Sequence, residues 1–100
     1  MTITYYTKEG KFEVEYDIPN YNELHRTDGP AIICDNIEMW FINGKQHRLD
    51  GPAVERYDES YEYFINDKEL NTEEVDNWLD KNKIDLATKE GKALFMLRFA

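Results

Sequence analysis

One pattern occurs twice within residues 25–70, and this repeat constrains the fold more than any other feature of the chain. Each copy begins with the block His-Arg-x-Asp-Gly-Pro-Ala, at residues 25–31 and again at residues 47–53, an offset of 22 positions. Each copy then reaches an aromatic-Phe-Ile-Asn block, at residues 40–43 and 63–66, an offset of 23 positions. A fixed period in this range is the signature of a repeat architecture, in which every copy folds as one supersecondary unit.

Each copy is expected to fold as two β-strands joined by a turn, because short runs of aliphatic and aromatic residues flank polar turn residues. In the first copy residues 31–34 pair with residues 37–42, and in the second residues 53–56 pair with residues 60–65. The one-residue difference between the two offsets falls in the second turn, at residues 57–59. A slip inside a strand would move every side chain to the opposite face, so this placement keeps both hairpins in the same register.

The residues before the repeats predict an N-terminal hairpin and a connection. Side chains alternate over residues 2–16 on either side of a turn at residues 9–10, where the glycine can adopt a positive φ. Residues 5–11 also echo residues 40–45 with one residue inserted, so they are a candidate degenerate half-repeat that caps the array. Residues 17–29 contain Pro19, Asn20 and Asn22 and lead into the Asp28-Gly29-Pro30 turn, which favours a connection over regular structure.

Helical periodicity replaces the strand pattern after residue 70. Thr72 is expected to cap a first helix, whose acidic first turn suits the helix dipole. A second helix is expected over about residues 86–99, with a minority alternative in which residues 93–99 form a closing strand. Gly91 costs this helix about 1 kcal/mol relative to alanine. The predicted apolar side of the second helix consists of Leu86, Leu94 and Leu97, with Ala87 and Phe95 beside them.

These segments together predict an α+β fold, an antiparallel β-meander of about six strands built from hairpin repeats and followed by one or two C-terminal helices. A chain of 100 residues suits a single domain, 1–100. Within this domain, residues 1–24 hold the N-terminal hairpin and connection, residues 25–70 hold the two repeats, and residues 71–100 hold the helical segment.

Both faces of the predicted sheet are apolar, whereas an antiparallel sheet with one solvated face alternates apolar and polar residues. The helices offer cover for about one face. We expect them to cover the aliphatic face, which has no polar groups to satisfy, and to leave the Trp/Tyr face partly exposed. The aliphatic face carries Ile32, Cys34, Ile37, Met39, Phe41, Val54 and Phe64. The Trp/Tyr face carries Ala31, Ile33, Trp40, Ile42, Ala53, Tyr61, Tyr63 and Ile65.

The charge of the chain is acidic and unevenly distributed. The formal net charge is −9, and residues 58–85 hold ten carboxylates against three lysines. This balance argues against nucleic acid or an anionic membrane as the partner, since both require a basic patch. A solvated surface is the simplest interpretation of the acidic stretch, which can also steer the approach of a basic protein.

The two His-x-x-Asp pairs are the residues that most resemble a chemical site. A histidine beside a carboxylate can act as a general base, and two histidines can bind a metal. The pairs recur at identical spacing in each repeat, however, which favours a structural turn: Asp binds its own backbone, Gly relaxes φ, and Pro begins the next strand. Each arginine is expected to pair with an Asp of the neighbouring repeat. The predicted repeat-turn residues are His25, Arg26, Asp28, Gly29 and Pro30 in the first copy and His47, Arg48, Asp50, Gly51 and Pro52 in the second.

The paired blocks resemble repeats found in small proteins of tailed bacteriophages and of some large viruses, and they are similar in period and hairpin character to MORN repeats. The likeness covers about residues 25–70, nearly half of the chain. Two positions depart from the pattern in the second copy, where Asp67 replaces Gly44 and Tyr63 replaces Trp40. Loss of the glycine indicates that the second turn leads out of the array, as in a terminal repeat. The resemblance implies a phage-encoded protein that is made inside a bacterium.

The sequence assigns no catalytic, cofactor-binding or metal-binding residue and no small-molecule substrate. It contains no Gly-rich phosphate loop, no Ser/His/Asp motif and no second cysteine that can form a disulfide with Cys34. No secretory signal or membrane-spanning stretch is evident, so we expect a protein of the host bacterial cytoplasm.

We therefore expect a non-enzymatic protein–protein interaction module, and the resemblance implies a phage accessory or counter-defence protein that binds and modulates a host protein. A homodimer through the same face is the other way to close it. The alternative function is an acidic DNA mimic that inhibits a host nuclease or nucleic-acid-binding protein, and a third is a small enzyme whose two histidines meet in one cleft. The candidate protein-binding residues are Trp40, Ile42, Tyr61, Tyr63 and Ile65, with Glu62, Glu73 and Glu74 as acids that steer approach.

Overall fold

A six-stranded antiparallel sheet followed by two C-terminal helices makes this an α+β fold, as the repeat and helix patterns predict. The structure is a computed structural model that describes residues 2–100; Met1, the first residue of the predicted N-terminal segment, lies outside the described residues. The strands are β1 (Ile3–Thr7), β2 (Gly10–Val14), β3 (Ile32–Cys34), β4 (Ile37–Met39), β5 (Phe41–Ile42), β6 (Lys45–Gln46), β7 (Val54–Arg56), β8 (Tyr61–Glu62), β9 (Phe64–Ile65) and β10 (Lys68–Glu69). The helices are α1 (Thr72–Asn82) and α2 (Lys89–Phe99), and a short 3-10 helix lies at Tyr21–Glu23.

The strand order of the main sheet is β2-β1-β3-β4-β7-β8, and the pairs β5–β6 and β9–β10 form two small separate hairpins. The predicted strand over residues 37–42 is therefore two strands, which are interrupted at Trp40. The Trp40 amide still donates to the Ala53 carbonyl at 2.8 Å, but its own carbonyl accepts from the His47 amide at 3.2 Å. The chain thus leaves the main sheet after Trp40 and folds back on itself, so the assumption of one continuous alternating strand was wrong.

The two repeats keep the same register, as the placement of the extra residue predicts. Ile32 pairs with Met39 in the first repeat and Val54 pairs with Glu62 in the second, so the additional residue lies in the turn between β7 and β8. Glu59 in that turn adopts a positive φ of 72°. The pairing of the strands on either side is unchanged because the additional residue is confined to the turn.

The small hairpin of the second repeat keeps its turn although it lacks the glycine. Asn43 and Gly44 both have positive φ in the first repeat, and Asn66 and Asp67 have the same conformation in the second. The Asp67 carboxylate accepts a hydrogen bond from the Gln46 amide at 2.7 Å, which offsets the strain of a left-handed aspartate. Helix α1 follows this hairpin directly, so the second repeat is the last one before the helices.

The N-terminal hairpin occupies the position of a half-repeat. The Tyr6 amide donates to the Ala31 carbonyl at 2.8 Å, as Trp40 does to Ala53, and the His25 amide donates to the Tyr6 carbonyl at 3.0 Å, as His47 does to Trp40. Tyr6 is therefore the structural equivalent of Trp40. The turn of this hairpin lies at residues 8–9, and Gly10 pairs with the strand at a φ of 130°.

The helices pack on Tyr63 and Ile65 of the Trp/Tyr face and on no residue of the aliphatic face, which corrects the sequence expectation. Tyr63 and Ile65 are 5% and 2% exposed and belong to the core beneath the helices. The hydroxyl of Tyr63 donates to a carboxylate oxygen of Asp76 in α1 at 2.8 Å, so its polar group is satisfied without water. This core consists of Tyr63, Ile65, Leu70, Val75, Leu86, Phe95 and Phe99.

The helix boundaries and the buried side of α2 also differ from expectation. Asn71, not Thr72, caps α1 by accepting a hydrogen bond from the Glu74 amide at 2.8 Å. The segment predicted as a closing strand in the alternative is helical.

Gly91 is buried, and a Cβ at this position would lie 1.9 Å from the Asp85 carbonyl oxygen. Glycine therefore lets α2 pack closely against the loop at Asp85, and this close approach sets the orientation of the helix. Phe95 and Phe99 lie on the same side as Gly91, whereas Leu94 and Leu97 are exposed.

Candidate functional site

Each arginine of the repeated block binds within its own repeat and not to an Asp of the neighbouring repeat, and Arg48 also donates to Glu55 Oε1 at 2.9 Å. Arg48 Nε donates to Asp50 Oδ1 at 2.7 Å, and its terminal nitrogen donates to the Pro52 carbonyl at 2.9 Å. Arg26 makes the same pair of contacts, with Asp28 at 2.9 Å and with the Pro30 carbonyl at 3.1 Å. A turn of four residues brings the acceptors within reach of the fork-shaped guanidinium, so the local partner is preferred to a distant one.

The glycine of each block provides space for the guanidinium and does not provide a positive φ. A Cβ on Gly29 would lie 2.8 Å from Cζ of Arg26, and a Cβ on Gly51 would lie 3.0 Å from Cζ of Arg48. Neither glycine has a positive φ. The block therefore needs glycine because the guanidinium of the arginine lies against the backbone at this position. The sequence pattern suggests instead that glycine serves to relax φ, which the structure does not require.

Each arginine also stacks on an aromatic ring of the preceding repeat. Cζ of Arg48 lies 3.9 Å from the ring centroid of Trp40, and Cζ of Arg26 lies 3.9 Å from that of Tyr6. A guanidinium over an aromatic face is attracted by the ring quadrupole, and more strongly when it is partly removed from water. This stacking contact thus adds a side-chain link between the two repeats to the backbone pairing of β4 with β7.

The two histidines each accept a hydrogen bond from a small hairpin. His25 Nδ1 accepts from the Asn43 amide at 2.9 Å, and His47 Nδ1 accepts from the Asn66 amide at 3.1 Å. Burial lowers the pKa of His47, which favours the neutral ring that this bond requires. His25 and His47 line different clefts, so the structure does not bring them together as a two-histidine enzyme would need.

The described residues contain no cluster of three or more His, Cys, Asp or Glu side chains that could hold a metal ion. Burial, with a smaller contribution from Asp35, raises the pKa of the Cys34 thiol, so the thiolate is disfavoured at neutral pH. Cys34 therefore lacks the surroundings that would make its thiol a reactive nucleophile.

A cleft of about 720 Å³ lies between the two repeated blocks and is the main concave feature that includes candidate binding residues. Trp40 and Ile42 line it, together with Leu49 and both arginine turns. Lys92 of α2 also lines the cleft and makes no salt bridge within residues 2–100. Arg26 pairs with Asp28, and Arg48 pairs with both Asp50 and Glu55, so Lys92 is the cation of the cleft lining that has no ion pair within the described chain.

The other candidate binding residues do not join this cleft. Tyr61 is about one-third exposed, and its hydroxyl donates to Asp76, as that of Tyr63 does. Burial and then the Asp76 hydrogen bond raise the pKa of Tyr63, while the Asp76 hydrogen bond is the main cause that raises the pKa of Tyr61. These two tyrosines anchor α1 to the sheet.

The acids proposed to steer a partner differ in whether they form a salt bridge within the described chain. Glu62 forms a salt bridge with Arg56 at 2.7 Å, and Glu74 forms one with Arg98 at 2.9 Å. Glu73 is exposed in the first turn of α1 and makes no salt bridge within the described chain. The eight predicted binding residues therefore do not form one surface: two line the cleft, two are buried, and the rest lie around α1 and β8.

Thr27, Leu49 and Lys92 are the cleft residues that the sequence pattern does not point to. Leu49 is the variable position of the second block, where the first block has Thr27, so the repeat pattern carries no sign of its role. Lys92 comes from α2, far along the chain, and only the packing of the helix brings it to the cleft.

None of the helices in residues 2–100 is long and apolar enough to span a bilayer. Compared with protein-family models, with curated proteins and with solved structures, the chain matches none.

Proposed function

We propose that this protein is a non-enzymatic interaction module that binds a host protein through the cleft between its two repeats. The resemblance of the repeats to those of small phage proteins supports an accessory or counter-defence role in the bacterial cytoplasm. The observation that carries the proposal is the juxtaposition of Trp40, Ile42 and Leu49 with the unpaired Lys92 in one open cleft.

The lining of the cleft indicates what it binds. The arginines already donate to the aspartates and prolines of their own turns, so they serve mainly as rigid walls. Ile42 and Leu49 offer an apolar contact, and Lys92 offers a cation beside it. The complementary partner is an exposed protein segment that places an apolar side chain next to a carboxylate.

The rigidity of Trp40 favours such a role. Its ring is held by Arg48 at 3.9 Å, so little side-chain freedom is lost when a partner packs against it. Trp and Arg are also the residue types most enriched among interface residues that dominate binding energy.

A comparative pull-down from host lysate tests the proposal. Ile42→Asp and Lys92→Glu change the cleft, and Tyr57→Asp and Lys89→Glu are matched controls that lie outside its lining. We expect one host protein to be enriched by the wild type and by both controls, and to be lost by at least about tenfold with either cleft variant. A host protein retained equally by all five chains would contradict binding through the cleft.

The DNA-mimic alternative has weaker support because several acids of the acidic stretch are already engaged. Glu62 and Glu74 are paired with arginines, and Asp76 accepts from two tyrosines. The same pull-down separates the two functions. A captured nuclease or nucleic-acid-binding protein that duplex DNA displaces, and that the cleft variants still bind, would favour the mimic.

A further inference from the structure

Strand β2 is the outer strand of the main sheet and pairs only with β1. In β1, the amide and carbonyl of Tyr6 both point away from β2, since they bond Ala31 and His25. Neighbouring residues of a strand point their backbone groups to opposite sides, so Tyr5 and its partner Phe12 form a hydrogen-bonded pair. It follows that Lys11 and Glu13 direct their amides and carbonyls outward.

The free edge thus presents two amide donors and two carbonyl acceptors, on Lys11 and Glu13. Unpaired strand edges of this kind are templates for another strand. Lys11, Phe12 and Glu13 are all exposed, and so are Tyr16 and Ile18 directly after β2. Phe12 is 38% exposed and stacks on Tyr5 with ring centroids 5.2 Å apart.

We propose that two copies of this chain form a twofold dimer by antiparallel pairing of their β2 strands, with Phe12 opposite the partner's Phe12. This pairing makes Lys11 and the partner's Glu13 a hydrogen-bonded pair that exchanges both backbone bonds, and the symmetric pair does the same. The two six-stranded sheets then become one continuous sheet. The inference rests on the open edge and is independent of the function proposed for the cleft.

The charges select this register over its neighbours. A slide of two residues in one direction preserves the hydrogen-bond pattern but places Lys11 opposite the partner's Lys11. A slide in the other direction places Glu13 opposite the partner's Glu13. Like charges directly opposite each other destabilise a strand pair, whereas opposite charges stabilise it. Among the residues of β2, only the register centred on Phe12 places Lys11 opposite a glutamate and leaves no two like charges opposite each other.

The aromatic rings add to the same register. Phe12 and the partner's Phe12 form a non-hydrogen-bonded pair, in which side chains approach most closely. Each Phe12 already stacks on Tyr5, so the dimer creates a row of four rings across the twofold axis. Aromatic cross-strand pairs are among the most favourable in sheets.

The opposite end of the sheet explains why association stops at two copies. Strand β8 has only two residues, and the Tyr61 hydroxyl there donates to Asp76 of α1. The described chain thus offers one long open edge. An interface that uses the same patch on both copies closes after two, whereas head-to-tail contacts would give filaments.

Sedimentation velocity of the full chain and of charge-reversal variants tests the dimer. We expect the wild type to dimerise at concentrations up to about 1 mM and each of Lys11→Glu and Glu13→Lys to weaken the dimer by at least about tenfold. An equimolar mixture of the two variants should restore it, because every glutamate then faces a lysine. Lys89→Glu and Asp80→Lys are controls with the same changes of net charge, and neither they nor their mixture should alter association.

Amide hydrogen exchange locates the interface. The Lys11 and Glu13 amides should become protected as concentration rises, while the Phe12 amide, already bonded to β1, should not change. The proposal is overturned by a monomer at about 1 mM, by a dimer insensitive to both single variants, or by a mixture that fails to associate. A monomer would instead mean that Lys11 protects the edge from pairing, which is a known role of edge lysines.

Discussion

The guanidinium carbon of Arg48 lies 3.9 Å from the ring centroid of Trp40 and so joins the second repeat to the first. Arg26 joins the first repeat to Tyr6 of the N-terminal hairpin at the same distance. The third aromatic of the series is Tyr63, whose carbonyl accepts from the Leu70 amide at 2.9 Å, as that of Trp40 accepts from His47. The arginine position after Leu70 is occupied by Asn71, which caps α1. The array therefore ends where helices replace the arginine as the cover of the aromatic ring.

The contact between Arg48 and Gly51 is testable by a double-mutant cycle. Arg48→Lys should lower the free energy of unfolding by about 2 kcal/mol, because lysine cannot keep the forked hydrogen bonds to Asp50 and Pro52. Gly51→Ala should lower it by about 1–2 kcal/mol by displacing the guanidinium. Denaturant melts of the single and double variants should show a coupling of about 1 kcal/mol, and strict additivity would contradict the close packing of the two residues.

Gly91→Ala should destabilise the protein although alanine is the better helix former. Propensity alone predicts a gain of about 1 kcal/mol. The new Cβ would lie 1.9 Å from the Asp85 carbonyl oxygen, and we expect a net loss of about 2–3 kcal/mol because the loop must move. The exposed Ala93→Gly is the control, which should show the ordinary cost of about 1 kcal/mol in thermal or denaturant melts. A stabilised Gly91→Ala protein would show that α2 is not held against the loop.

Tyr63→Phe should lower the free energy of unfolding by about 1–2 kcal/mol, since Asp76 loses a hydrogen-bond donor in a largely buried position. Tyr61→Phe removes the donor at the exposed side of the same carboxylate and should cost less than about 1 kcal/mol. Urea melts at neutral pH measure both variants. Equal effects would mean that burial does not strengthen the Tyr63 contact.

The same tyrosine should make stability fall at alkaline pH. Burial raises the pKa of Tyr63 in the folded chain, so the unfolded chain releases this proton first as pH rises. The contribution is fully present below pH about 10, the ordinary pKa of tyrosine, and is lost above it. Tyr63→Phe should flatten the decline between neutral and alkaline pH in chemical melts, and an unchanged decline would assign the effect to other groups.

His47 should make stability fall on mild acidification. Burial lowers its pKa in the folded chain, so the unfolded chain takes up the proton first as pH falls below about 6.5. The stabilising contribution of the neutral ring is complete above this pH and is lost below it. His47→Asn keeps a side-chain oxygen to accept from the Asn66 amide but does not titrate. Melts at pH about 7.5 and about 5.5 should therefore show a smaller difference for this variant than for the wild type.

The hairpins and their register are predictable from the sequence because they follow from period-two alternation. The partners of Arg48 are local, two and four positions away, but the pattern alone does not distinguish them from an Asp of the neighbouring repeat. The part of the candidate site that involves Trp40 and Ile42 was also predicted. Lys92 was not, because its place in the cleft depends on how α2 packs and no neighbouring residue signals it.

By itself, the sequence determined the repeated hairpin, the antiparallel meander and the change to helices, since each follows from periodicity over a few residues. Only the tertiary structure decided which face the helices cover. The aliphatic face has no polar groups to satisfy, so its burial is expected to cost less free energy. Asp76 removes that difference by accepting from the hydroxyl of Tyr63, thirteen positions earlier, so α1 and α2 pack on the tyrosine side. Such a pairing between a strand and a helix depends on three-dimensional packing, which local periodicity does not encode.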